Sequence, residues 1–270
     1  MSGRVKGCFD SLNARWPWLK IALPIVILLV LIWRLSSVLS PVGDTDLVRM
    51  APMQMHAEVP ERPARSFEGK KLVALTFDDG PSPATTPRLL DILKEQQVPA
   101  TFFELGSLVK RNAWITQRAL KEGHEIASHT MRHQNLARLS ASAVQSDVGE
   151  ANAAFKEAIG YVPELVRPPY GSINSETWKN FGGATMISWS VDTLDWKYRN
   201  TDSILSNLVN QISDGGIVLM HDIHATSVDA VPAVISKLRE MGYEFVTVSE
   251  LIKMRGASVE PSKMYAKFAP

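Results

Sequence analysis

Cysteine is almost absent: Cys8 stands alone in 270 residues, so no internal disulfide can brace the fold. An excess of charge of one sign is missing too. A formal net charge of +1 supplies no global basic field, which argues against nucleic acid as a partner. No glycine-rich phosphate loop and no serine nucleophile elbow occur, which weakens kinase and serine-hydrolase readings. Internal repeats and low-complexity tracts are also lacking. With 45% hydrophobic and 21% charged residues, the chain has room for one sizeable core plus accessory segments.

Long apolar runs are scarce, with one exception near the N-terminus. Ile21 to Trp33 is uninterrupted but gives only about 20 Å of helix, too short to span a bilayer. Continued through Arg34 to Leu39, the segment reaches about 28 Å, close to the hydrocarbon thickness, with Arg34 able to snorkel. Trp16, Trp18 and Trp33 supply interfacial aromatics. Arg4, Lys6, Arg15 and Lys20 precede the segment against the single Asp10. The positive-inside rule therefore predicts cytoplasmic residues 1–20, a membrane anchor at 21–39 and everything beyond outside the cell. A cleaved signal peptide is the rival. No A-x-A-like site follows the run, however, and Pro41 spoils the small-residue candidate ending at Ser40.

Residues 40–69 carry Pro41, Pro52, Pro60 and Pro63 among charges of both signs, the composition of a linker. Residues 255–270 are unpatterned and read as a flexible tail. Between them, residues 70–254 alternate strand-like apolar runs with helical patterns, which argues for βα units around a parallel sheet. A closed barrel and an open doubly wound sheet share that pattern. Polar clusters follow these runs: Asp78 and Asp79, His129 and His133, Arg167, Asp192 and Asp195, then His221 and Asp222. In parallel α/β architectures the C-terminal strand ends converge on one face, where sites are built.

Two histidines with one carboxylate form a hydrolytic metal set, and a second carboxylate nearby can act as base. The strings Thr76-Phe77-Asp78-Asp79-Gly80 and Ser128-His129-Thr130-Met131-Arg132-His133 supply that inventory. Either string alone is weak, because Asp-Asp-Gly suits a turn and a histidine pair suits a surface.

Five ordered motifs change that balance: TFDDG at 76–80, SHTMRH at 128–133, RPPYG at 167–171, DTLDW at 192–196 and LMHD at 219–222. Across about Leu72 to Ile252 the chain resembles the polysaccharide deacetylases, carbohydrate esterase family 4, with no departure at any motif position. The resemblance implies an α/β fold, a distorted (β/α) barrel with fewer than eight regular units, and metal-dependent N- or O-deacetylation. It also implies roles. Asp79, His129 and His133 match the metal ligands, the spacing of the two histidines putting both imidazoles on one side of a helical turn. Asp78 matches the general base, and Arg167 the arginine that pairs with it. His221 matches the general acid that protonates the leaving amine, with Asp195 raising its pKa and orienting it. The Tyr170 backbone amide matches an oxyanion donor. Trp196 and Leu219 match walls of the acetyl-methyl pocket.

The resulting expectation is a membrane-anchored enzyme with one divalent ion, zinc or alternatively cobalt, nickel or manganese. Its substrate is expected to be an acetylated glycan, foremost peptidoglycan N-acetylglucosamine. Chitooligosaccharide or acetylxylan deacetylation, or a non-catalytic glycan-binding relative, are the alternatives. Oligomeric state is not readable. His124 and His224 are assigned no catalytic role, His56 falls in the linker, Glu104 is expected in a loop, and Ser82 and Thr86 are expected to cap the first helix.

Overall fold

Alternation in the first strand organises everything around it. In β1 (Lys71–Asp78), Val73, Leu75 and Phe77 face one way and Leu72 and Ala74 the other, as the two-residue period requires. The first set joins an outer core beneath the helices, and the second an inner core enclosed by the curled sheet. Each fully buried Leu or Phe contributes about 1.5–3 kcal/mol relative to exposure. Thr76 and Asp78 continue the inward line, so the same alternation that builds the core aims a carboxylate into the interior.

The computed structural model describes residue 67 and residues 69–260 and 263–270. The expected spanning segment and most of the expected linker lie outside the described residues. Among the described residues no helix is long and apolar enough to cross a membrane.

The chain continues through α1 (Thr86–Glu95), β2 (Thr101–Glu104), α2 (Gly106–Lys121), β3 (Glu125–Ser128) and α3 (Ala141–Ile159). Then come β4 (Leu165–Val166), α4 (Ser175–Trp178), β5 (Thr185–Ile187), β6 (Val191–Asp192), α5 (Asp195–Tyr198) and α6 (Thr201–Gln211). The remaining elements are β7 (Gly216–His221), α7 (Ala225–Glu240), β8 (Tyr243–Phe245), α8 (Val248–Met254) and β9 (Met264–Tyr265). The sheet runs β6-β7-β1-β2-β3-β4-β5-β9, with β8 pairing the start of β1, and every strand pair is parallel. This is the expected α/β class, a curled parallel sheet consistent with a distorted (β/α) barrel.

Three departures from the sequence reading have physical causes. The apolar stretch at 185–190 forms only the short β5, and β6 begins just beyond it; the two strands pair with different neighbours. The short helices α5 and α8 are too brief to show a helical period. The tail is not loose over its described residues: β9 pairs β5, and Phe268, 4% exposed, packs into the inner core. Lys267 bridges Gly216 antiparallel, and the Phe268 amide donates to the Gly215 carbonyl at 2.9 Å. A side chain at Gly215 would meet the Phe268 carbonyl at 1.9 Å, and φ there is +79°, so glycine is required. Few buried side chains do this work, and periodicity cannot reveal them.

Candidate active site

Register delivers the polar residues to one place. Asp78 ends β1 beside Phe103 of β2 and His221 of β7, while Leu219 of β7 pairs Asp192 of β6. A cavity of about 390 Å³ opens at these strand ends. Asp78, Asp79, His129, His133 and His221 line it, together with Tyr170, Trp189, Asp192, Trp196 and Leu219.

Asp79 adopts φ +76°, a left-handed conformation that Asp tolerates better than most residues. Gly80 follows because nothing larger fits: a Cβ there would lie 2.1 Å from Asp222 Oδ2. Asp222 is buried and accepts from Thr86 Oγ1 at 2.5 Å, and the Ser82 amide donates to the same hydroxyl at 2.8 Å. Thr85, not Ser82 or Thr86, is the N-cap residue of α1, and its side chain makes no capping bond. Ser82 and Thr86 instead brace the loop that carries Asp79.

His129 and His133 sit on a turn rather than on the expected helical turn, because Thr130 and His133 have φ of +70° and +56°. Neighbouring elements hold this turn. The His129 amide donates to Glu104 O at 2.8 Å, Gly106 N to Thr130 O at 2.9 Å, and Met131 N to Asp147 Oδ1 of α3 at 2.8 Å. Both imidazoles still converge on Asp79. Its Oδ1 lies 3.5 Å from His129 Nε2 and 3.3 Å from His133 Nε2, and the three ligand atoms fall within 4.8 Å of one another.

The test of whether a cation fits rests on protons. His129 Nδ1 is 2.7 Å from the Arg167 carbonyl, which can only accept, so Nδ1 carries the hydrogen and Nε2 presents its lone pair. Burial drives the His129 pKa down to about 3, keeping the ring neutral. Asp79 Oδ1 is buried without a hydrogen-bond donor. A buried carboxylate oxygen facing imidazole lone pairs is what a divalent cation satisfies, and the Asp-His-His set is a hydrolytic one.

Arg167 ties the ligand turn to the second carboxylate. Fully buried, its Nη1 donates to Asp78 Oδ1 at 2.5 Å and to Thr76 Oγ1 at 2.9 Å, and Nη2 donates to Ser188 O at 2.9 Å. Its guanidinium lies 3.9 Å from the centroid of the Phe103 ring. Asp78 Oδ2 remains on the site side, 3.7 Å from His129 Nε2. Burial raises the Asp78 pKa, and the Arg167 charge opposes that rise.

Across the cavity, His221 Nδ1 lies 2.8 Å from Asp195 Oδ1, and the His221 amide donates to Asp195 Oδ2 at 2.8 Å. Burial acts against the imidazolium, but the Asp195 hydrogen bond and charge outweigh it and raise the pKa to about 9. Asp195 is held below the usual carboxylate range despite its burial, because His221 bonds to it. Tyr170 adopts φ +61° and is 64% exposed, with its ring 4.7 Å from that of His133. Trp196 is half exposed on the wall, whereas Leu219 is buried at 4%.

Every residue singled out for the site thus lines this cavity or directly supports one that does. Sequence reasoning missed Trp189 and gave Asp192 no task; both line the cavity. Alternation could not have found both, because the phase shifts between β5 and β6: Ile187 belongs to the inner core but Val191 to the outer one. Glu104, expected in a loop, ends β2 fully buried, and burial raises its pKa to about 8. His224 is the N-cap residue of α7, its ring 6.1 Å from that of His221.

The family model for polysaccharide deacetylase matches residues 66–185. The chain is 42% identical to a peptidoglycan N-acetylglucosamine deacetylase, PgdA, of Listeria monocytogenes over 208 residues, 77% of this chain and 43% of that one. It is 44% identical to a peptidoglycan N-acetylmuramic acid deacetylase, PdaC, of Bacillus subtilis over 186 residues, 69% of this chain and 40% of the relative. The chain therefore spans about two fifths of the length of these curated relatives. The solved structure of T48 deacetylase with substrate superposes with a TM-score of 0.70 at 41% identity, covering 75% of this chain and all of that one.

Proposed function

The chain belongs to the polysaccharide deacetylase family, and on that premise we propose that it hydrolyses acetyl groups from an N-acetylated glycan. The observation that carries this reading is the meeting, in one cavity, of a cation-ready Asp-His-His set, an arginine-held carboxylate and a carboxylate-held histidine. Binding alone requires neither a base nor an acid.

Asp79, His129 and His133 would hold the divalent ion, which when bound would polarise the acetyl carbonyl and acidify a water molecule. Asp78 takes the proton from the attacking water. Arg167 fixes Asp78 Oδ1, which leaves Oδ2 as the oxygen that receives it. The elevated pKa of Asp78 makes it a stronger base than an exposed aspartate. The Tyr170 amide donates to the developing oxyanion. His221 is charged at neutral pH and gives its proton to the departing amine, while Asp195 keeps Nδ1 protonated and leaves Nε2 to act. Trp196 and Leu219 wall the methyl end of the acetyl group and exclude bulk water. Zinc, cobalt, nickel and manganese all suit the donor set, and zinc is the first choice.

Peptidoglycan N-acetylglucosamine is the proposed substrate. Residues 21–39 would anchor the chain in the cytoplasmic membrane with the catalytic domain outside, and a linker of about 30 residues would reach near 30 Å. The relatives named for peptidoglycan deacetylation support the same choice. The direct test incubates the metal-loaded protein with acetylated glycans and reads acetate and free amine together. In cells, muropeptides from the wild type should contain more glucosamine than those from an Asp78→Asn strain. Equal glucosamine contents in the two strains would sink the peptidoglycan assignment.

A further inference from the structure

The charged groups lining the cavity are matched, with one exception. Asp78 is held by Arg167, His221 by Asp195, and Asp79 faces the two imidazoles of the cation site. Asp192 makes no ion pair among the described residues, yet its side chain lines the same cavity. Its placement is built. Pairing with Leu219 puts Asp192 on the cavity side of β6, and the Gln211 side chain grips its backbone from both directions, at 3.1 and 2.9 Å. Oδ1 accepts from the Leu194 amide at 2.9 Å, where the chain turns through φ +54°. Oδ2 has no partner among the described residues. A short turn needs only one acceptor oxygen, and a serine or asparagine would supply it. A full negative charge held on the substrate wall goes beyond that need.

We propose that Asp192 is a specificity-determining residue whose fixed charge favours a neutral N-acetylhexosamine in the cavity over one bearing a carboxylate. The inference rests on the deacetylase reading and refines its substrate class. Oδ2 can accept a hydrogen bond from a sugar hydroxyl, whereas a lactyl carboxylate on the same sugar meets a like charge at short range. For unit charges separated by about the width of such a cavity, at an effective dielectric near 20 and with salt screening, discrimination of roughly five- to twentyfold is expected.

The experiment uses the full-length, metal-loaded chain and two tetrasaccharide ligands, one of N-acetylglucosamine and one carrying a 3-O-lactyl carboxylate on the acetylated sugars. Calorimetric dissociation constants are measured for the wild type, Asp192→Asn and Asp192→Ser. Both variants keep an acceptor for Leu194 N and lose the charge. The wild type should prefer the neutral ligand, and both variants should reduce that preference at least fivefold, less so at high salt. A change in the ratio below twofold, equal weakening of both ligands, or no wild-type preference overturns the proposal. Acetate release is read separately. Discrimination without acetate release would leave the selectivity standing and overturn the deacetylase reading.

Discussion

β3 is four residues long, and a hollow opens at each end of it. The one beyond Ser128 is the candidate active site, about 390 Å³. The one at Glu125 is about 420 Å³, and it too contains a histidine and carboxylates: His124, Glu125, Glu164 and Glu250. By inventory the two are hard to separate. Hydrogen bonding separates them. In the Glu125 hollow the Glu125 and Glu250 carboxylates and His124 Nδ1 are committed to structure. Glu125 Oε2 accepts from Thr101 Oγ1 and Ser249 N, Glu250 closes a capping box with Thr247, and His124 Nδ1 accepts from Ala100 N. In the active-site hollow Asp79 Oδ1 is buried with no donor and two imidazoles point at it. Chemistry resides where buried polar capacity is left for something else to fill.

The sharpest way to break this contrast is to remove the unfilled capacity. Alanine at Asp79, His129 or His133 should abolish stoichiometric metal binding, read by elemental analysis, and reduce deacetylation to background while the domain stays folded. Glu164→Ala in the other hollow should retain both metal and activity. Full activity of the wild type after exhaustive chelation would refute the assignment of the ligands.

A smaller loss is expected from the two proposed proton carriers. Asp78→Asn and His221→Ala should each lower turnover by roughly 10²- to 10⁴-fold with metal still bound. The pH profile adds a sign. Because Asp195 raises the His221 pKa to about 9, the acid is loaded at neutral pH and is lost as pH rises through that value. Turnover should therefore fall on an alkaline limb near pH 9. The stabilising part of the same pair is complete below the unfolded value of about 6.5 and disappears as pH rises through about 9. An alkaline limb that persists unchanged in the residual activity of Asp195→Asn would reassign it to another group.

How far this site can be read from sequence follows from the same contrast. Asp78, Asp79, His129, His133 and His221 were legible because each follows a strand-like run and register carries strand ends together. Arg167 was legible as a partner of Asp78, but not its second task, since a backbone carbonyl orienting His129 leaves no trace in side-chain identity. The helical turn expected for His129 to His133 failed because contacts from β2 and α3 impose left-handed residues that spacing alone does not show. Trp189 was hidden by the break between β5 and β6. Closure by the tail was illegible for a related reason: it depends on Gly215 and Phe268, 53 positions apart in the numbering.

Next in size is the buried pair itself. Arg167 is fully buried and Asp78 nearly so, so removing the guanidinium strands a carboxylate in the interior. Arg167→Met should cost about 3–5 kcal/mol of stability in chemical denaturation, mostly from the unpaired charge. Asp78→Asn in the Arg167→Met background should recover part of that loss. Without such recovery, the damage would lie in lost packing against Phe103 rather than in charge.

The smallest effect tests the other hollow. Burial raises the Glu125 pKa, against hydrogen bonds from Ser249 and Thr101 that favour its charge. A carboxyl with a raised folded-state pKa binds its proton more tightly when folded, so its contribution to stability declines as pH climbs from the unfolded value through the folded one. Glu125→Gln keeps the shape and an acceptor oxygen for Thr101 and Ser249 while removing the charge. Its stability at neutral pH should lie within about 1 kcal/mol of the wild type, the usual net worth of one hydrogen bond. Its pH dependence should be flatter across the mildly acidic range, and its turnover should stay within twofold. A large loss of activity with stability intact would mean that the lower hollow communicates with the catalytic face along β3, and the division drawn between the two ends of that strand would have to be abandoned.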